Sequence, residues 1–99
     1  MTDNKFSDTC VFVTGSAQGL GYGIAKSFVQ QGADVILADI DQEMVKEAEE
    51  RLGPLAHGFE LNVADDANVA RVVKQANDDY GPIRVLVNNA GICSTVQIF

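Results

Sequence analysis

Cysteine is scarce in this chain, cationic side chains are outnumbered, and no apolar run approaches the length of a membrane span. Each scarcity excludes something. Cys10 and Cys93 stand in no pattern and are too few for a disulfide framework. They read as packed free thiols in a reducing compartment, which points to the cytoplasm. Seven Lys and Arg stand against fourteen Asp and Glu, a formal net charge of -7, and no basic cluster stands out. A nucleic-acid or anionic-membrane surface is therefore not expected. The opening "MTDNKFSDTC" lacks the basic segment and apolar stretch of a signal peptide. What is present is ordinary for a globular chain: 46% hydrophobic residues over 99 positions, enough for one small domain and no second one.

Two kinds of segment alternate along that domain. "CVFVT" at 10–14, "DVILAD" at 34–39 and "IRVLVN" at 83–88 are apolar runs without alternation, the mark of strands covered on both faces. "AHGFELNV" at 56–63 is a weaker strand of mixed character. Between them lie apolar stripes at helical spacing. They are Leu20, Ile24 and Phe28 with Val29, then Met44, Val45, Ala48 and Leu52, then Val69, Val72, Val73, Ala76 and Tyr80. Asp41 and Asp65 precede the second and third stripes as N-caps. Gly32, Gly53 and Gly81 follow the three stripes as stops, and Pro54 and Pro82 prevent continuation after two of them. The order is β-α-β-α-β-α-β. Short connections then imply parallel strands with right-handed crossovers, half of a doubly wound α/β sheet.

Three glycines crowd into "VTGSAQGLG" at 13–21, where the first strand hands over to a helix. Glycine weakens both elements, so its use here calls for a reason. A helix N-terminus at the crevice of such a sheet offers free N–H groups and a favourable dipole to an anion. A diphosphate bound there needs the backbone within hydrogen-bonding distance. Gly15 then makes the tight turn, Gly19 lets the diphosphate approach, and Gly21 lets the helix pack close. A glycine-rich turn without a ligand is the competing reading of the loop alone. It is not a P-loop, because no Gly-Lys-Ser/Thr follows. Asp39 ends the second strand, eighteen residues after Gly21. An acidic residue there accepts hydrogen bonds from the adenosine ribose of a dinucleotide. Its competing reading is a helix cap or solvated carboxylate, although Asp41 can already fill the capping role.

Four stretches together resemble the short-chain dehydrogenases/reductases. "TGSAQGLG" matches that family's T-G-x-x-x-G-x-G, and Asp39 its NAD-type acidic residue. "LNVAD" at 61–65 looks like its D-V-x-D segment, with Asn62 in place of the first Asp. "NNAG" at 88–91 matches the motif that closes the fourth strand. All four stand in the family's order and span nearly the whole chain. The resemblance implies a Rossmann-like sheet in the order 3-2-1-4, with residues 1–99 as the N-terminal dinucleotide-binding portion of one incomplete domain. It implies that Ser16, Gln18, Gly19 and Leu20 line the pyrophosphate, with Gly15 and Gly21 shaping the loop. Asp39 and Ile40 would hold the ribose, and Asn62 and Val63 would edge the adenine. Asn88, Asn89, Ala90 and Gly91 would run beneath the cofactor, and Thr14 and an asparagine would tie the first strand to the fourth. NAD is the cofactor implied, an alcohol or carbonyl compound the substrate, and a homo-oligomer the assembly.

The family's chemistry resides in a serine and a Y-x-x-x-K downstream of NNAG, and neither occurs here. Tyr22 and Lys26 do have Y-x-x-x-K spacing, but they lie on the helix that starts under the pyrophosphate. They read as a solvated face. Ser94 and Thr95 follow NNAG too closely for the catalytic serine. His57 reads as a surface or edge residue in a short turn before the third strand. No residue is thus assigned to catalysis or to a metal. The leading expectation is the NAD-binding part of an oxidoreductase, inactive alone and truncated before its catalytic half. The alternative is a stand-alone, non-catalytic module for an adenine dinucleotide, and a third is a remnant that binds nothing. The apolar "VLVNNAGI" at 85–92 is expected at an open sheet edge, a pairing hazard that reads as a cut through a larger sheet.

Overall fold

The computed structural model describes residues 6–89 and 95–98. Its elements are β1 (Cys10–Thr14), α1 (Gly19–Gln30), β2 (Asp34–Asp39), α2 (Gln42–Leu52), β3 (Ala56–Glu60), α3 (Asp66–Tyr80), β4 (Ile83–Asn88) and β5 (Thr95–Ile98). The strands form one sheet in the order β3-β2-β1-β4-β5. β1 to β4 are parallel, in the expected order 3-2-1-4. Val11 lies opposite both Val35 and Val85, and Val13 opposite both Leu37 and Val87.

Alternation along the strands sends successive side chains to opposite faces, and each face builds its own core. Val11, Val13, Val35, Leu37, Val85 and Val87 meet Ala25 of α1 and Val45 and Ala48 of α2. Cys10, Phe12, Ile36 and Ala38 meet Val72 and Ala76 of α3. Phe12, Ile36, Leu37 and the central valines are essentially inaccessible to solvent. Each side chain of this kind contributes about 1.5–3 kcal/mol when fully buried, so β1 and β2 anchor the molecule.

The helix boundaries follow from the expected signals. The Asp41 carboxylate accepts from Met44 N at 3.2 Å and that of Asp65 from Asn68 N at 3.1 Å. Gly32, Gly53 and Gly81 all adopt positive φ just beyond the helices, a conformation that side-chain-bearing residues rarely take.

Four expectations are corrected. α1 packs through Gly21 and Ala25, its two buried residues, while Leu20 is 66% exposed. Small residues let the helix approach the sheet; Ile24, Phe28 and Val29 of the expected stripe pack around them, and Leu20 alone turns to solvent. Tyr22 packs against the core rather than lying on a solvated face, while Lys26 is exposed. β3 stops at Glu60 and contains His57, which is half-buried, not a turn residue. Its Nε2 lies 2.9 Å from Asp34 Oδ1, and its ring stacks on Tyr80 at 3.8 Å. Lastly, β4 is not an open edge. β5 pairs with it antiparallel, Val87 opposite Val96, an arrangement common at the margin of a parallel sheet.

Candidate dinucleotide site

The segments that follow β1, β2 and β3 enclose a crevice, and α1 starts just beyond the first of them. Backbone conformation shapes its floor. Gly15 and Gly19 have φ of 62° and 63°. A Cβ at Gly19 would meet nothing within 4 Å, so the space beside it is open to a ligand. Gly21 is the opposite case. A Cβ there would overlap the Gly15 carbonyl and lie 2.6 Å from Asn89 Nδ2. One glycine thus keeps an approach clear and the other lets the helix seat against the loop.

The loop is fastened on two sides. Towards β2, the fully buried Ser16 accepts from Ala38 N through Oγ at 2.9 Å, and its own N–H donates to the Ala38 carbonyl at 3.4 Å. Asp39 Oδ2 accepts from Ala17 N at 3.1 Å, and Oδ1 accepts from Asp41 N at 3.3 Å. Two backbone donors fix this carboxylate at the crevice. Towards β4, the Thr14 hydroxyl donates to Asn88 Oδ1 at 3.1 Å and accepts from Asn89 N at 2.9 Å. Asn89 Nδ2 donates to the Gly15 carbonyl at 3.3 Å. The expected tie between the first and fourth strands is therefore present, and it uses both asparagines.

At the N-terminus of α1, Gln18 has extended backbone and provides no side-chain cap, and the first turn carries no acidic residue. Gln18, Leu20, Ile40 and Val63 are exposed. Among the described residues, Leu20, Ile40 and Val63 are three of the four large apolar side chains most open to solvent. Ile40 and Val63 flank a hollow of about 130 Å³ lined also by Gly15, Asp39, Leu61 and Asn62. A wider one of about 530 Å³ continues past Ile40 and Asn62 to Glu60, Asp65 and Arg71. The glycine turn, a fixed carboxylate and two exposed apolar walls thus converge, a donor and acceptor set that fits a diphosphate, a ribose and a base in that order.

Ala90 and Gly91 lie outside the described residues, as does Ser94; Thr95 opens β5. One contributor has no clear signal in the sequence. Asn68 of α3 accepts from Asn62 N through Oδ1 at 2.7 Å and so fixes the segment after β3. Asn62 Oδ1 in turn accepts from Ala64 N at 3.0 Å. An asparagine on the surface of a helix looks like any other until the chain brings it to a strand end. Among the described residues there is no group of three or more side chains suited to a metal, and no helix long and apolar enough to cross a membrane.

Comparison with known proteins places this geometry. The family profile for short chain dehydrogenase matches residues 9–99. Galactitol 2-dehydrogenase of Agrobacterium fabrum is 39% identical over 94 residues, which is 95% of this chain and 37% of that protein. Oxidoreductase UcpA of Escherichia coli is 41% identical over 91 residues, 90% of this chain and 35% of that protein. Sorbitol dehydrogenase of Cereibacter sphaeroides is 40% identical over 86 residues, 87% of this chain and 34% of that protein. The chain thus spans about 35% of the length of the curated relatives it matches. With a matched profile over nearly its whole length, joined to the glycine turn and the strand-end aspartate, the chain belongs to the short chain dehydrogenase family.

Proposed function

We propose that residues 1–99 are the NAD(H)-binding portion of a single domain in an oxidoreductase that moves hydride between nicotinamide and an alcohol or carbonyl substrate. The observation that carries this reading is the Asp39 carboxylate, held by Ala17 N and Asp41 N beside a hollow walled by Ile40 and Val63. Asp39 would accept from the ribose hydroxyls, the open side of Gly19 would admit the diphosphate, and the base would lie between the two apolar walls. The cofactor supplies the hydride acceptor or donor; these residues bind and orient its adenosine end. Two relatives are named for polyols, galactitol and sorbitol, which favours a secondary alcohol as substrate of the full-length protein. A homo-oligomer would be its assembly.

Asp39 also favours NAD over NADP. A 2′-phosphate would meet its charge, and Gln18, Ile40 and Asp41 offer no cation in return. Two like charges about 4 Å apart repel by roughly 4 kcal/mol at a near-surface effective dielectric, before screening. The test is calorimetry on the purified chain. NAD and ADP-ribose should bind with similar affinity and NADP more weakly, Asp39→Ala should narrow that gap, and Gly19→Val should abolish binding. No alcohol or carbonyl compound should turn over, since positioned acid–base help worth about 100- to 10,000-fold is missing. Equal affinity for NADP, or turnover lost on Tyr22→Phe, would sink the reading.

A further inference from the structure

We propose that Ser16 is a positioning residue: its buried hydroxyl clamps the glycine turn to β2 and so aims the Asp39 carboxylate at the adenosine ribose, without itself touching the diphosphate. The inference rests on the dinucleotide reading above and adds to it a residue that acts from inside the fold.

Ser16 is 0% exposed, so its side chain has no face to offer a ligand in the crevice. It lies just past Thr14, the last residue of β1, and two hydrogen bonds tie it to a single residue of β2. Its Oγ accepts from Ala38 N at 2.9 Å, and its N–H donates to the Ala38 carbonyl at 3.4 Å. The lengths rank the two. An N–H···O bond is best at about 2.7–3.2 Å, so the hydroxyl contact is near its optimum and the backbone contact is beyond it. The hydroxyl therefore carries the clamp. One residue further along each segment, Ala17 N donates to Asp39 Oδ2 at 3.1 Å. Ser16 meets Ala38 and Ala17 meets Asp39 in step, so whatever holds the first pair in register also sets the second.

The two oxygens of Asp39 are held differently. Oδ1 accepts from Asp41 N, two residues away in its own segment, at 3.3 Å. The Oδ2 bond reaches across to the glycine turn, and it fixes the carboxylate relative to the open side of Gly19. Each oxygen keeps a lone pair for a ribose hydroxyl. A hydrogen bond weakens steeply when its angle is lost. A carboxylate that stays in place but loses its aim therefore loses ribose recognition. Ala17 packs in the core independently of the Ser16 hydroxyl, so Ser16→Ala removes the clamp and leaves that packing intact.

The experiment compares ADP-ribose with its analogue lacking the 2′-hydroxyl of the adenosine ribose. Both are titrated calorimetrically into the native chain, Ser16→Ala, Asp39→Ala and the double variant, with folds checked by circular dichroism. The native chain should prefer ADP-ribose by about 10-fold, the scale of a charge-assisted bond. In Ser16→Ala that preference should fall to about 3-fold or less, the scale of a weak net bond. In the double variant it should equal that of Asp39→Ala alone, because Ser16 acts only through the carboxylate. Should Ser16→Ala not fold, Ser16→Cys carries the same comparison, since its sulfur accepts only weakly, and its preference should lie below the native one. Equal weakening of both ligands, with the native preference kept, would give Ser16 a role in stability or at the diphosphate and overturn the proposal. A native chain that binds ADP-ribose yet ignores the 2′-hydroxyl would also overturn it. Failure of the native chain to bind ADP-ribose at all would overturn the dinucleotide reading, and this inference with it.

Discussion

Cys10 illustrates how a single side chain acquires its chemistry from its position. It lies on β1 against Phe12 and Ile36 and is 2% exposed. Burial first, and the Asp34 carboxylate second, push its thiol from the ordinary 9.0 up to about 11. Both effects oppose the thiolate, which is the reactive form. Near neutral pH Cys10 should therefore resist alkylation in the folded chain and react once the chain is unfolded, read by peptide mass spectrometry. The same shift has a consequence for stability. Between the two values the folded state holds a proton that the unfolded state has released. Stability associated with Cys10 is thus complete below pH 9.0 and declines towards pH 11. Tyr80 acts in the same sense, since burial followed by Asp79, Glu49 and Asp34 raises its phenol. Denaturant midpoints measured across this window should fall less steeply for Cys10→Ala than for the native chain, which separates the thiol from the phenol. An unchanged slope would remove Cys10 from the alkaline transition.

At the scale of elements, α1 shows how the site and the packing compete for the same residues. Gly21 and Gly23 are two positions apart on one helix and differ in what surrounds them. A methyl at Gly21 would collide with the Gly15 carbonyl and Asn89 Nδ2, both part of the loop's fastening. A methyl at Gly23 would meet nothing within 4 Å. Gly21→Ala should therefore destabilise by about 1–3 kcal/mol, the range of overpacking, and weaken nucleotide binding by moving the helix N-terminus. Gly23→Ala should stabilise by roughly 0.5–1 kcal/mol through helix propensity alone. Thermal unfolding of the two variants checks both signs. The pair also shows what the sequence makes legible. Strands β1 and β2 are readable as apolar runs because burial on both faces leaves no polar alternation, and β4 is readable from its apolar run although Arg84 and Asn88 are exposed. The helix stops are readable because glycine carries the positive φ. The core-facing side of α1 is readable only in part: Ile24, Phe28 and Val29 pack as their spacing suggests, but the buried Gly21 and Ala25 have little hydrophobic signal and the exposed Leu20 has a strong one. Ser16 is equally opaque: only the fold shows its hydroxyl accepting from Ala38 N and fastening the loop to β2. His57 hides in the same way, its partners Asp34 and Tyr80 being distant in sequence.

For the whole molecule, the two margins of the sheet decide whether the chain stays monomeric. β3 is one margin. There the Glu49 carboxylate reaches from α2 and accepts from Gly58 N at 2.6 Å. Leu37 is the β2 partner of Gly58. Leu61 N donates to the Asp39 carbonyl of β2. Alternation along β3 therefore turns the Gly58 N–H outwards, where an incoming strand would seek it. Gly58 suits this contact for a further reason, because a Cβ there would lie 2.5 Å from Val45 Cγ1. β5 covers the other margin, where the sequence alone suggested an open apolar edge. The two devices differ in strength. Glu49 occupies one donor with a carboxylate, whereas β5 pairs with four residues of β4, from Val85 to Asn88. Proline lacks the N–H of a strand and disfavours its interior, so Val96→Pro should release β5 and leave β4 unpaired. Sedimentation velocity should then show larger species than in the native chain at equal concentration. Glu49→Ala should raise association by a smaller amount, and Glu49→Gln, which keeps an acceptor oxygen, should restore the native profile. If Val96→Pro sediments like the native chain, β5 does not shield the sheet, and the association of this chain must be governed elsewhere. The apolar hollow of about 380 Å³ between α3 and the sheet, lined by Phe12, Val69, Val73 and Leu86, is then the surface to examine.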